Sequence, residues 1–98
     1  METKKQELQI EVTPEVADGV YSNLAVISHS TSEFIVDFLI MTPGAPKAKV
    51  KSRVLMTPEN AKRLMAALRD NIVKYESQFG EINMNKGAAL FPVNKSLD

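Results

Sequence analysis

Apolar and polar residues alternate along much of the first 56 positions, and the spacing then changes to that of a helix. The alternation is typical of strands, because successive side chains of a strand point to opposite faces. Three hydroxyl residues, "STS" at 30–32, separate two runs rich in β-branched residues and indicate a tight hairpin. Four segments are predicted as strands, at about residues 6–12, 20–29, 33–41 and 48–56.

The last periodic segment, "TPENAKRLMAALRDNIVKYESQFG", predicts a long amphipathic helix. Thr57 is a suitable N-cap, Pro58 suits the first helical position, and Gly80 marks the end. Residues three or four positions apart share one side of a helix. The predicted apolar face consists of Ala61, Leu64, Leu68, Ile72, Tyr75 and Phe79.

This order of elements predicts an α+β fold, with an antiparallel four-stranded sheet followed by one long C-terminal amphipathic helix (β-β-β-β-α). The chain is expected to form a single domain over residues 1–98, because 98 residues suit one hydrophobic core. Its core is expected at about 6–80. Residues 81–98 form a predicted tail or docking arm.

Strand pairing is predicted from the apolar pattern. If Val26 opposes Val36, and Val36 opposes Val54, the larger apolar residues gather on one face of the sheet. The same register places Asp37 opposite Arg53 on the other face. That face also carries apolar side chains, at Ala25, Ile27, Ile35, Leu39, Met41 and Leu55.

One helix is too narrow to cover such a sheet. Four strands span about 19 Å, whereas a helix with its side chains covers about 10 to 12 Å. Apolar residues on both faces therefore require a second cover. Self-association is the favoured explanation, as a dimer or tetramer. The alternative is a tail that folds back, with "ALFPV" docking on the sheet.

Composition limits the chemistry further. The chain has no cysteine and one histidine, which excludes disulfides, thiolate metal sites and histidine-rich clusters. No cofactor is expected. Twelve basic and twelve acidic residues balance, which argues against a general polyanion binder. The N-terminal residues lack the apolar run of a signal peptide, so we expect a cytoplasmic protein without a membrane partner.

The hairpin segment "VISHSTSEFIVDF" combines serines, a histidine and acids, as hydrolases do. A nucleophilic serine usually lies in a glycine-flanked elbow and needs oxyanion donors, and those glycines are missing. In a hairpin, His29 and Glu33 would flank the loop and could pair across it. We therefore interpret His29, Ser30 and Glu33 as a partner-binding hairpin and expect no enzyme activity. Four sheet residues join this predicted partner surface: Ile27, Ile35, Leu39 and Leu55.

A stripe of basic residues precedes and enters the last predicted strand. It consists of Lys47, Lys49, Lys51 and Arg53, at strict two-residue spacing. An extended strand would project all four side chains to one side, which suits phosphate or an acidic partner. The alternative is an exposed strand whose lysines prevent unwanted edge pairing. Nucleic acid is the less favoured partner, because stacking aromatics and groove-reading motifs are missing.

The segments "YSNLAVISHSTSEFIVDF" and "SRVLMTPENAKRLMAALRDNIVKYESQFG" resemble the small bacterial proteins of domain of unknown function 3467 (DUF3467). The resemblance covers about 60 residues and implies no activity, cofactor or enzymatic site. In some bacteria the genes of this family lie beside those for the large RNA polymerase subunits, so the resemblance also implies an association with RNA polymerase. The order of strands and helix is also similar to the export chaperone SecB, although fold alone carries no function. The matching positions are Tyr21, Asn23, His29, Ser30, Glu33, Phe34, Asp37, Phe38, Met56, Pro58, Tyr75, Glu76, Phe79 and Gly80.

Three hypotheses follow. The first is a non-enzymatic, oligomeric protein-interaction module that presents the hairpin and the sheet surface to another protein. The second is a SecB-like holdase that grips unfolded clients through the apolar sheet residues. The third is an accessory of RNA polymerase or nucleic acid that uses the basic stripe.

Overall fold

The computed structural model describes residues 7–84, and these form an α+β arrangement of one antiparallel sheet followed by a long helix. The sheet has three strands in the order β1-β2-β3, so each strand pairs with its neighbour in sequence. Along the described residues, no helix is long and apolar enough to cross a membrane. The elements are α1 (Pro14–Ala17), β1 (Leu24–His29), β2 (Phe34–Ile40), β3 (Lys49–Met56) and α2 (Pro58–Phe79).

The predicted fourth strand is not present within residues 7–84. The segment before α1 is extended at Thr13 but makes no ladder with the sheet. Leu8 and Ile10, at 83% and 80% exposure, are among the most exposed side chains of the described chain. Apolar alternation shows that a segment suits a strand, but a strand also needs a partner edge. The short helix α1 follows this segment.

The β2–β3 pairing agrees with the predicted register at its centre. Val36 pairs with Val54, and Asp37 pairs with Arg53. Further along, Phe38 pairs with Ser52 but Leu39 pairs with Val50, which leaves one extra residue in β3. That residue is Lys51, and the irregularity is a β-bulge.

The β1–β2 pairing differs from the prediction by one residue. Ile27, rather than Val26, lies opposite Val36. Because side chains alternate between faces, a shift of one residue moves every β1 side chain to the other face. The Val36 face therefore includes Ile27, Phe34, Val36, Phe38 and Val54. The Asp37 face includes Leu24, Val26, Ile35, Asp37, Leu39, Arg53 and Leu55.

Helix α2 forms as the sequence predicts. Thr57 accepts a hydrogen bond at its side-chain oxygen from the backbone N–H of Asn60 at 3.1 Å, and Pro58 occupies the start of the helix. Gly80 ends the helix with a φ of 95°, a conformation that favours glycine. The helix has 22 residues, which corresponds to about 33 Å.

Very little of the described chain is buried. Val36, at 5% exposure, is its single buried apolar residue, and no residue of α2 is buried. The substantial contacts between the described elements lie within the sheet, between β1 and β2 and between β2 and β3. Helix α2 thus continues away from the sheet rather than lying across it.

Candidate interaction surfaces

The hairpin between β1 and β2 is held by backbone bonds and one serine hydroxyl. The N–H of Ser30 donates to the carbonyl of Glu33 at 2.9 Å. The Ser30 hydroxyl oxygen accepts from the N–H groups of Ser32 and Glu33, each at 3.2 Å. Thr31 and Ser32 therefore form a two-residue tip. Neither has a positive φ, so the turn forms without glycine.

His29 lies beside Phe34 at the end of the sheet. Their ring centroids are 5.3 Å apart with an interplanar angle of 24°, a stacked pair. In the described chain one ion pair is present, between Arg53 and Asp37, so the expected pairing of His29 with Glu33 is not formed. His29, Ser30 and Glu33 are all exposed, and the hairpin tip offers hydroxyl, imidazole and carboxylate groups to a partner.

Helix α2 begins at this same end of the sheet. Met56, the last residue of β3, pairs with Phe34, and the side chain of Asn60 lies 3.9 Å from the Met56 sulfur. The first turns of α2 and Phe34 enclose a cleft of about 300 Å³. It is lined by Phe34, Pro58, Ala61, Lys62 and Met65. The exposed hairpin and this largely apolar cleft therefore adjoin.

The predicted apolar face of α2 is exposed from Leu64 to Phe79. Phe79 at its end is 69% exposed, and Tyr75 packs only on Phe79, with ring centroids 5.0 Å apart. A helix of a globular protein normally turns such a stripe to the core. Here no described element covers it. Met65, which the prediction did not include, is also exposed, so the large exposed side chains here are Leu64, Met65, Leu68, Ile72, Tyr75 and Phe79.

Asp37 and Arg53 form a two-pronged ion pair across β2 and β3, as the sequence predicts. Arg53 Nε donates to one carboxylate oxygen at 2.7 Å, and Arg53 Nη2 donates to the other at 2.9 Å. Hydrogen bonding to Arg53 lowers the pKa of Asp37 below its ordinary value, partial burial opposes this, and the charge of Arg53 adds to the lowering. The pair fixes the β2–β3 register on the Asp37 face.

The basic stripe is divided by the structure. Lys47 lies before β3, and the bulge at Lys51 interrupts the alternation. Lys49 pairs with Ile40 on the Val36 face, whereas Arg53 lies on the Asp37 face and is bound to Asp37. The prediction that all four side chains project to one side is therefore wrong, because the bulge changes which residues share a face.

The four sheet residues of the predicted partner surface are also divided. Ile35, Leu39 and Leu55 lie on the Asp37 face, while the β1 register places Ile27 on the Val36 face. Ile27 and Leu55 are 54% and 56% exposed. Apolar side chains are thus open to solvent on both faces of the sheet.

Asn23 has a role that the pattern of apolar residues did not indicate. Its side-chain nitrogen donates to the carbonyl of Met41 at 2.9 Å, and its side-chain oxygen accepts from the Met41 N–H at 2.8 Å. The side chain thereby continues the β1–β2 ladder beyond Leu24. The single hydroxyl proton of Ser22 is shared between the carbonyls of Leu24 and Leu39, whose oxygens lie 2.9 and 3.0 Å from the Ser22 oxygen. In the sequence, the signal for this role was the position of an asparagine directly before a β-rich run.

Within residues 7–84, histidine and carboxylate side chains form no group of three that could hold a metal ion. The predicted docking segment "ALFPV" and the rest of 85–98 lie outside the described residues.

Comparison with known proteins assigns the chain to a family but gives no biochemical activity. A family model described as "Protein of unknown function (DUF3467)" matches residues 1–84. No curated protein and no solved structure matches the chain. Since the matched residues span most of the 98-residue sequence, the chain belongs to the DUF3467 family.

Proposed function

We propose that this protein is a non-enzymatic, oligomeric protein-interaction module. One observation carries the proposal: of the apolar side chains in residues 7–84, only Val36 is buried, while the large apolar side chains of α2 are exposed. A folded domain needs far more buried apolar surface to offset the conformational entropy lost on folding. A second copy of the chain supplies that surface.

The hairpin tip is the part of the module that meets another protein. It is held rigidly by the Ser30 hydroxyl and by the stacking of His29 on Phe34, while its polar groups stay exposed. Rigid presentation of polar groups beside an apolar cleft lowers the entropy cost of binding a partner. The two other hypotheses lose geometric support, since both the basic stripe and the four apolar sheet residues are split between faces.

Photo-crosslinking in cells tests both parts of the proposal. A photoreactive residue at Leu64 on α2 is expected to give an adduct between copies at about 22 kDa, twice the 10.9 kDa chain mass. The same residue at Thr31 is expected to give one defined adduct with a different protein. Ala45 is the control, because it lies in the β2–β3 connection, at the opposite end of the sheet from the hairpin.

Failure at each site has a separate meaning. No adduct between copies from Leu64 would contradict oligomerisation. Equal adducts from Thr31 and Ala45, or none from Thr31, would contradict the role of the hairpin.

A further inference from the structure

We infer that the apolar face of α2 is the interface between two copies of this chain, and that the two helices pair in antiparallel orientation. The inference rests on the proposed oligomeric function and specifies its surface, its partner and its geometry. Five observations support it: the spacing of the apolar residues of α2, their exposed area, the sizes of the residues that would meet, the cleft beside Ala61, and the placement of charge.

The apolar residues of α2 follow the spacing of a coiled-coil seam. With Met65 taken in place of its neighbour Leu64, which then flanks the seam, the intervals from Ala61 to Phe79 are 4, 3, 4, 3 and 4 residues, an average close to the 3.5-residue repeat of a two-helix seam. A helix that packs on a sheet needs a wider stripe and has no reason to keep this strict alternation. The seam consists of Ala61, Met65, Leu68, Ile72, Tyr75 and Phe79.

The exposed area matches what a stable dimer needs. Taking roughly 200 Å² for a fully exposed large side chain, the open part of Leu64 and the five large seam residues is on the order of 600 Å² per copy. Two copies would bury on the order of 1,200 Å², the lower end of the range for specific, stable interfaces. The helix face alone is thus sufficient for a dimer.

Side-chain size favours the antiparallel orientation. With the dyad near residue 70, Leu68 meets Ile72, Met65 meets Tyr75, and the smallest seam residue, Ala61, meets the largest, Phe79. In a parallel pair each residue would meet its own copy, which places two alanines together at one end and two phenylalanines at the other. Interfaces pack to the density of protein interiors, so large-against-small pairing fills space better.

The cleft beside Ala61 provides the space for the partner's Phe79. It is lined by Phe34, Pro58, Ala61, Lys62 and Met65, and its volume is about 300 Å³. A cavity of about 150 Å³ is sufficient for a benzene ring. The antiparallel register brings Phe79 of one copy to this cleft of the other, where Phe34 offers an aromatic neighbour.

Charges that flank the seam favour the same orientation. Lys62 and Glu76 occupy equivalent flanking positions near opposite ends of α2, so antiparallel pairing brings Lys62 of one copy to Glu76 of the other, twice per dimer. One Glu76 carboxylate oxygen accepts from the N–H of Ile82 at 2.9 Å, which leaves the other for Lys62. The two copies of Arg69 approach near the dyad, but this side chain is long enough to turn to solvent. Parallel pairing gives no opposite-charge contact at these positions.

Spin-label distances in the full chain decide the orientation. The chain has no cysteine, so Arg63→Cys and Ser77→Cys each introduce one labelling site, and both positions lie on the helix side away from the seam. They are separated by about 21 Å along the helix axis. We expect a short distance between labels at 63 and 77 in mixed dimers and longer distances in dimers labelled at 63 alone or at 77 alone.

The reverse pattern, short for matching labels and long for mixed labels, would overturn the antiparallel inference and leave oligomerisation intact. If no sample showed dipolar coupling between spin labels on different copies, both the antiparallel inference and the proposed oligomerisation would be overturned.

Charge reversal provides an independent test. Lys62→Glu and Glu76→Lys are each expected to weaken dimer affinity roughly three- to tenfold, since each change replaces two attractive contacts with repulsive ones. The double variant is expected to recover most of that loss. The antiparallel contact would be contradicted if the double variant lost as much dimer affinity as the two single variants added together, with helix content unchanged in all three variants.

Discussion

The sheet and helix α2 satisfy different needs within one copy of the chain. In the sheet, backbone groups pair along two ladders, Asn23 extends one ladder with its side chain, and Val36 is buried. Helix α2 pairs its backbone internally and is capped by Thr57 and Gly80, yet it buries no residue. Hydrogen bonding can thus be completed locally, whereas burial of an apolar face requires a second surface.

This difference has a consequence for stability. Most of the stability of a protein helix comes from packing of its apolar face rather than from helix propensity. The sheet has one buried residue, which is also little for a domain. We therefore expect the helix to depend on a second copy more strongly than the sheet does.

The largest effect is expected from a charge placed on the helix face. Leu68→Glu puts a carboxylate at the centre of the seam and should abolish association, because an unpaired buried charge is strongly unfavourable. Far-UV circular dichroism should show loss of helix, and size-exclusion chromatography should show monomers. Ala67→Glu adds the same charge away from the seam and should leave both signals unchanged. Association of Leu68→Glu at wild-type concentrations would show that α2 is not the contact.

The next effect concerns the one buried residue of the sheet. Val36→Ala removes two methyl groups and should lower the free energy of unfolding by about 1–3 kcal/mol. Val73→Ala makes the same change at a side chain of α2 that is 60% exposed and lies outside the seam, and should cost less than about 0.5 kcal/mol. Urea unfolding at matched protein concentration measures both. Equal losses would mean that Val36 is no more important than a surface valine.

A smaller effect is expected at the Asn23 clamp. Asn23→Ala removes both hydrogen bonds to Met41 and should cost about 1 kcal/mol, because exposed hydrogen bonds contribute modestly. Asn23→Asp keeps the oxygen that accepts from the Met41 N–H but turns a second oxygen toward the Met41 carbonyl, so its loss should be no smaller. Urea unfolding gives the stabilities, and amide exchange at Met41 reports the local opening. Slow exchange at Met41 in the alanine variant would show that the clamp does not hold this edge.

The smallest effect is expected from the Asp37–Arg53 pair, since Arg53 is largely exposed. The pKa of Asp37 is lower in the folded chain than in the unfolded chain. The pair therefore stabilises the fold at pH values above the unfolded pKa of about 4, and this contribution is lost as the pH falls through the folded pKa. Asp37→Asn should flatten that part of the pH profile, measured by urea midpoints between about pH 7 and pH 2. An unchanged profile would exclude a linkage through Asp37.

Local signals allowed much of this fold to be predicted. The N-cap Thr57, Pro58 and the terminal Gly80 define α2 without reference to the rest of the chain, and the pairs Val36–Val54 and Asp37–Arg53 align both apolar and charged residues. Strand pairing between segments that are far apart in the sequence was not predictable. The N-terminal segment alternates like a strand, yet within residues 7–84 it pairs with neither open edge of the sheet.

The error in β1 has a specific cause. Residues 24–27 are all apolar, so alternation does not select a face there. The register then depends on the hairpin, and a loop with a two-residue tip rather than three residues shifts β1 by one position. The bulge at Lys51 likewise left no signal in the regular spacing of lysines. Both errors changed which candidate residues share a face.

Sedimentation equilibrium of the intact chain, with helix content measured on the same samples, tests the central claim most directly. That claim is that one copy lacks the apolar surface to hold α2 and that a second copy supplies it. We expect a mass of at least twice 10.9 kDa at micromolar concentration, with loss of helix where dilution produces monomers. A strict 10.9 kDa monomer that retains the full α2 helix would contradict the claim.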